Sequence, residues 1–280
     1  MRRLRWLGAA LLLLTACDPA TPSDAGPTPM DAGGLDAGTL DGGGLDAATS
    51  DAGGADAGGA DAATSDAGAF DAGLADAIGA LSGACGEIDD ELLSPESFLF
   101  ENAIDFGPVP LMEMDITRLS PGAQELLMEG TIGGSSIYSE AIAYEVLYRC
   151  EGAALLKSES EIVYMDPMGT HTDMLVDIDG HRVGVSVVRA VGFPRDAPYP
   201  LSQAMTLLMR KVGDVTESSA SVADEDRWVK QILHVIAYAP MHADAMRMAW
   251  AMIDPAVRAD TILVITVTDG EDAFIYDNML

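Results

Sequence analysis

Thr261-Ile262-Leu263-Val264-Ile265-Thr266-Val267, closed by Asp269-Gly270, and the earlier Ile232-Leu233-His234-Val235-Ile236 are the two runs that decide the fold. Both are short, unbroken and rich in β-branched residues, which marks strands and not helices. Neither alternates apolar with polar residues, so each predicts a strand covered on both faces. Around them the spacing turns helical. Ala243 to Ile253 reads as an Ala- and Met-rich helix stopped near Pro255, with a further turn at Val257. Leu201 to Lys211 reads as a helix with Gly213 just beyond its end. Buried strands alternating with helices predict an α/β domain, a mixed sheet flanked by helices.

Working outward toward the amino terminus, Thr172 to Ile178 and His181 to Ala190 read as two strands joined at the hairpin turn Asp179-Gly180. Ala153 to Tyr164 predicts a strand before them. Gly133-Gly134-Ser135-Ser136 leads into a helix with Ile137, Ala141, Tyr144 and Tyr148 on one stripe. Ser120 as N-cap and Pro121 at the first helical position open a shorter helix through Met128, closed by Gly130, and Phe98 to Phe106 predicts one more strand. From Ser136 onward the order is α-β-β-β-α-β-α-β.

That order resembles the PD-(D/E)xK, or restriction-endonuclease-like, fold. In that family a helix supplies a Glu, the second strand starts at an Asp, and the third carries an acid and a Lys that together hold a divalent metal. The resemblance implies Glu140 on the helix and Asp173 at the start of the second strand as catalytic and metal-binding residues, with Mg2+ or Mn2+ as cofactor. The third strand departs from the pattern. It reads Gly184-Val185-Ser186-Val187-Val188-Arg189, where Ser186 is a weak ligand and Arg189 stays protonated. Glu159 and Glu161 on the first strand are the residues available for the missing metal-binding role, and Lys230 near the fourth for the missing Lys.

Each of these has a plainer reading. Glu140 on a helix face and Asp173 at a strand entry also suit solvent and backbone donors. His171 and Asp173 share a side of a strand, a spacing open to a transition metal, but no further His or Cys stands nearby in sequence. Ser186 lacks the Gly-x-Ser-x-Gly context of a hydrolase elbow. Gly130 to Ser136 lacks the Gly-Lys-Ser/Thr ending of a phosphate loop. Met205, Met209, Met246, Met248 and Met252 fall at helical spacing among Ala and Leu, as core filler does.

The amino-terminal part has a different character. Arg2, Arg3 and Arg5 precede an apolar run from Trp6 to Leu14, and Leu14-Thr15-Ala16-Cys17 ends it. The run is too short to span a bilayer, which takes about twenty apolar residues. These parts, in this order, resemble bacterial lipoprotein precursors of Gram-negative type. The resemblance implies a signal peptide over 1–16, acylation of Cys17, and a lipid anchor holding the protein at the cell envelope, on the outer membrane or cell surface, where a protein partner is expected. Two or three acyl chains make such an anchor effectively permanent, at about 0.8 kcal/mol per buried methylene.

Residues 17–82 predict a disordered tether. Asp31, Asp36, Asp41, Asp46, Asp51, Asp56, Asp61, Asp66, Asp71 and Asp76 keep a strict five-residue period that matches neither a helix nor a strand. Abundant Gly, few large apolar groups and unbalanced carboxylates all oppose folding. Calcium β-roll repeats are nine residues long and do not fit this period.

Residues 83–280 then make a single α/β domain of ordinary size. Twelve Asp lie in the tether and three Arg in the leader, so the 45 acids and 15 bases of the whole chain leave 33 against 12 in the domain, a net −21. Such a surface repels nucleic acid, which is bound through clustered Lys and Arg. The acidic surface, the missing acid-x-Lys pair and the long tether therefore favour a displayed binding or structural module without an intact catalytic site; the alternative is a divalent-metal-dependent nuclease or phosphodiesterase with a degenerate site. Cys85 and Cys150 are either one disulfide, formed on export, or two buried thiols.

Overall fold

A computed structural model describes residues 77–130, 136–277 and 279. The chain divides into Met1–Ala60 and Asp61–Leu280, and every described residue belongs to the second unit. The leader, Cys17 and nearly all of the tether lie outside the described residues.

In chain order the elements are β1 (Ala80–Gly83), β2 (Phe98–Asp105), α1 (Pro121–Glu129), α2 (Ile137–Glu151), β3 (Ala154–Ser158), β4 (Met174–Ile178), β5 (His181–Ala190), α3 (Leu201–Ser221), β6 (Lys230–Ala237), α4 (Pro240–Met252), α5 (Pro255–Arg258), β7 (Ile262–Asp269) and α6 (Ala273–Asp277). The strands form one seven-stranded sheet in the order β1-β2-β7-β6-β5-β4-β3. Its centre is parallel, β2 on β7, β7 on β6 and β6 on β5, and antiparallel pairs close both sides. Parallel neighbours need a crossover. Here α3 carries the chain from β5 to β6, and α4 with α5 from β6 to β7.

The unbroken apolar runs follow from this layering. In β6 and β7, Ile232, Ile236, Ile262 and Val264 pack with Ile142, Val146 and Phe274 on one side of the sheet. Leu233, Val235, Leu263 and Ile265, one residue out of phase, pack with Leu208, Val212, Met246 and Trp250 on the other. Strand side chains alternate between faces, so two buried faces leave no position for a polar alternate. The mixed α/β order read from the sequence is present.

Three boundaries differ from expectation. The helix starting at Leu201 does not stop before Gly213 but runs to Ser221, with Gly213 exposed inside it and open space where a Cβ would stand. An interior Gly costs a helix about 1 kcal/mol against Ala. Buried Val212, Val215 and Val222 continue the stripe of Ala204 and Leu208, and each such side chain contributes about 1.5–3 kcal/mol on burial.

The strand from Ala153 ends at Ser158, not Tyr164, after a register shift between Leu155 and Lys157. A single 3-10 turn, Glu159–Glu161, follows, because the Glu161 carboxylate turns back to accept the Ser158 N–H at 3.1 Å. Folded structure also begins before residue 83. Ile78 is 2% exposed, β1 pairs with the edge of β2, and Arg149 donates to the carbonyls of Ile78 at 2.8 Å and Gly79 at 3.1 Å. Those partners are remote in sequence, which is why local composition reads through them.

Cys85 and Cys150 form a disulfide, with their Cα atoms 4.5 Å apart, tying the chain after β1 to the last turn of α2. Closing a loop across a sequence separation of 65 is worth about 2–4 kcal/mol. Cys150→Ala in the full chain is expected to lower Tm by roughly 5–15 °C, on the usual scaling for a domain of this size. Thermal melts beside a reduced wild-type sample check this, and an unchanged Tm in both would rule out a stabilising bridge.

Candidate functional site

Asp173 stands one residue before β4, where the antiparallel ladder with β5 begins at Met174 opposite Val185. Its backbone N–H donates to the Val185 carbonyl at 3.1 Å, and its Oδ2 accepts the Val187 N–H at 2.6 Å. The carboxylate thus continues the ladder where the strand backbone leaves it. Glu140, in the first turn of α2, is buried, and its Oε1 accepts the Ser136 hydroxyl at 2.6 Å.

The electrostatics bring four groups together. Burial first, and then the charge of Asp173, raises the Glu140 carboxyl to about 7; the Ser136 hydrogen bond opposes this, Glu159 adds to it, and Lys211 opposes it. Burial raises Asp173 to about 6, against the Val187 N–H and Lys211, with Glu159 again adding. Acids that perturb one another in this way titrate as a pair. Burial also raises the Tyr164 phenol, which accepts the Thr172 N–H at 2.8 Å, and Asp173 and Glu159 push it further. The neighbourhood is therefore Glu140 from α2, Asp173 at the head of β4, Glu159 from the turn after β3, and Lys211 from α3.

Lys211 is the residue that local reading misses. Ala204, Leu208, Lys211, Val215, Ser218 and Val222 fall at spacings of three and four, the inward stripe of an amphipathic helix. A Lys on such a stripe is a legible signal. Its Nζ lies 3.8 Å from Asp214 on the same helix.

The other candidates go elsewhere. Glu161 is exposed and caps the turn after β3. Lys230 is 1% exposed, and its Nζ donates to the carbonyls of Ser94 at 2.6 Å and Glu96 at 2.9 Å, beneath the Phe98 ring. It is a buried clamp and does not take the missing Lys role. Ser186 accepts a hydrogen bond from Gln231, and Arg189 donates to the Ile275 carbonyl. His171 lies flat on Tyr164, ring centroids 4.4 Å apart.

Among the described residues no three His, Cys, Asp or Glu side chains form a group that could hold a metal ion. A cage built wholly of protein ligands does not fit these residues. Mg2+ can also bind while keeping several waters, through only one or two carboxylates. Glu140 and Asp173 supply oxygen donors of that kind.

No known family model matches the chain. The AAC-rich mRNA clone AAC4 protein of Dictyostelium discoideum is 35% identical over 163 residues, covering 56% of this chain and 24% of that protein. The chain thus spans about a quarter of that relative's length. A solved structure of Pyrococcus furiosus SfsA in complex with Ca2+ aligns at 13% identity and a TM-score of 0.28, over 48% of this chain and 56% of that one.

The raised carboxyls fix a sign. Glu140 has a folded value of about 7 against an ordinary 4.5, so the folded state holds an extra proton between those limits. Ionising it costs stability, which falls as pH rises through the window. Glu140→Gln, which cannot ionise, is therefore expected to be more stable than wild type at pH 8, with the advantage fading as pH drops to 4.5. Melts of both proteins across that range check this, and a constant difference would contradict it.

Proposed function

We propose that the chain is a lipid-anchored envelope protein displaying a restriction-endonuclease-like domain, and that this domain hydrolyses phosphodiesters with Mg2+ or Mn2+ at a rearranged PD-(D/E)xK-type site. The observation that carries the reading is the electrostatic neighbourhood of Glu140 and Asp173: desolvation raises both carboxyls, the Asp173 charge raises Glu140 further, Glu159 raises both and Lys211 opposes both. Such arrangements are costly to the fold and cluster at functional sites. In such a degenerate site Glu140 and Asp173 would hold the ion, and Lys211 of α3 would stand in for the Lys absent from β5.

A bound divalent ion would supply charge neutralisation and an activated water. The chain's own part is orientation. Val187 aims one oxygen of Asp173, Ser136 aims one oxygen of Glu140, and Lys211 offsets part of their charge.

A second reading, a binding or structural module with no turnover, is favoured by the acid missing from β5 and by the domain's net −21 charge. The full chain incubated with Mg2+ and Mn2+ on single- and double-stranded nucleic acid separates the two. Activity is expected in wild type and a loss of at least a hundredfold in Asp173→Ala and Glu140→Ala. No cleavage in wild type, with no metal-induced rise in Tm, would leave the binding module.

The anchor rests on Cys17 and the residues before it. No helix among the described residues is long and apolar enough to cross a membrane. Cys17→Ser is expected to move the protein from the membrane fraction to the soluble fraction on cell fractionation, and retention in the membrane would reject lipidation at Cys17.

A further inference from the structure

Beneath Asp173 lies a buried polar network that the proposed chemistry does not use. Gln231, in β6, is 3% exposed. Its Nε2 sits 2.8 Å from Thr172 Oγ1, 3.2 Å from Ser186 Oγ and 3.3 Å from Ser218 Oγ, and its Oε1 accepts the Ser219 hydroxyl at 2.5 Å. Thr172 donates to Ser218 at 3.1 Å, Ser218 donates to the Val215 carbonyl at 3.1 Å, and the Trp228 indole donates to Ser219 at 3.0 Å. Thr172 and Ser218 are fully buried.

The positions of these partners give the network its meaning. Thr172 is the residue before Asp173. Ser186 is the residue before Val187, whose N–H holds Asp173 Oδ2. Ser218 lies seven residues beyond Lys211 on the inward stripe of α3. One amide side chain therefore joins the chain carrying the Asp173 carboxylate, the strand carrying its hydrogen-bond donor, and the helix carrying Lys211.

We infer that Gln231 is a positioning residue: bridging Thr172, Ser186 and the Ser218–Ser219 turn of α3, it sets where the Asp173 carboxylate sits relative to Val187 and Lys211. This rests on the ion-binding reading for its consequence, and on the hydrogen bonds alone for its geometry. Apolar packing would hold the same elements together. It would not fix the carboxylate's direction, because dispersion is non-directional and hydrogen bonds are not. Outer partners of metal-binding groups typically alter affinity by ten- to a hundredfold when removed.

The test uses the full chain in detergent, 15N-labelled, as wild type, Gln231→Met and Ile265→Val. Gln231→Met keeps nearly the same volume and removes the hydrogen bonds. Ile265→Val loosens the core elsewhere and controls for lost stability. Amide exchange at Val187 and Mn2+ affinity by calorimetry are read in each.

In Gln231→Met, Val187 is expected to exchange at least tenfold faster and the Mn2+ Kd to rise about tenfold, with Ile265→Val leaving both near wild type. An unchanged Val187 amide, an equal change in Ile265→Val, or an altered amide with unchanged Mn2+ affinity overturns the inference while leaving the ion site standing. If wild type binds no Mn2+ but Val187 still responds to Gln231→Met alone, the positioning role stands and the ion reading falls.

Discussion

Burial of the central parallel strands on both faces is the constraint from which the rest of the structure follows. Each residue of β6 is buried, and β7 is buried along most of its length. A sheet closed in this way favours polar groups that find partners inside it, since an unpaired buried group costs about 1–3 kcal/mol. His234 meets that condition with one of its two ring nitrogens: its Nε2 bonds Thr266 Oγ1 at 2.7 Å, whose hydroxyl donates to Asn102 Oδ1 at 2.6 Å, while its Nδ1 is buried without a partner. Burial drives the imidazole down to about 3, so it is neutral at any physiological pH. The ladder crosses three adjacent strands and pins their order on the α2 side.

On the other side of the sheet the same demand is met by Gln231 and the hydroxyls of α3. The two networks differ in what they serve. The His234 ladder lies wholly within the strands, whereas the Gln231 network reaches the strand entry at Thr172 and the helix face that bears Lys211. Satisfying buried polar atoms and aiming the acidic group are, in this domain, one structural problem.

The acidic group works against the fold. Glu140 and Asp173 are desolvated and repel one another, and Glu159 adds to both. Lys211 relieves part of this, and the N–H of Val187 and the hydroxyl of Ser136 relieve more. A protein selected for stability alone has better residues for these positions: an apolar side chain at 140 and a neutral one at 173. The same feature that lowers stability makes the carboxylates ready to accept positive charge.

The amino-acid sequence by itself determined the class and order of the elements. Unbroken β-branched runs, the Asp179-Gly180 turn and the Ser120-Pro121 helix start are local signals, and local sterics and burial periodicity suffice to read them. Glu140 and Asp173 were legible because their places in that order single them out. Only the tertiary structure decided that Glu159 and not Glu161 adds its charge to theirs, that Lys211 and not Lys230 offsets it, that Ile78 enters the core and β1 the sheet, and that Cys85 meets Cys150. The physical reason is the same in each case. These outcomes depend on pairings between residues distant in the chain, whose free energy comes from desolvation and charge in the assembled interior, and no local pattern encodes a partner that folding has yet to bring near.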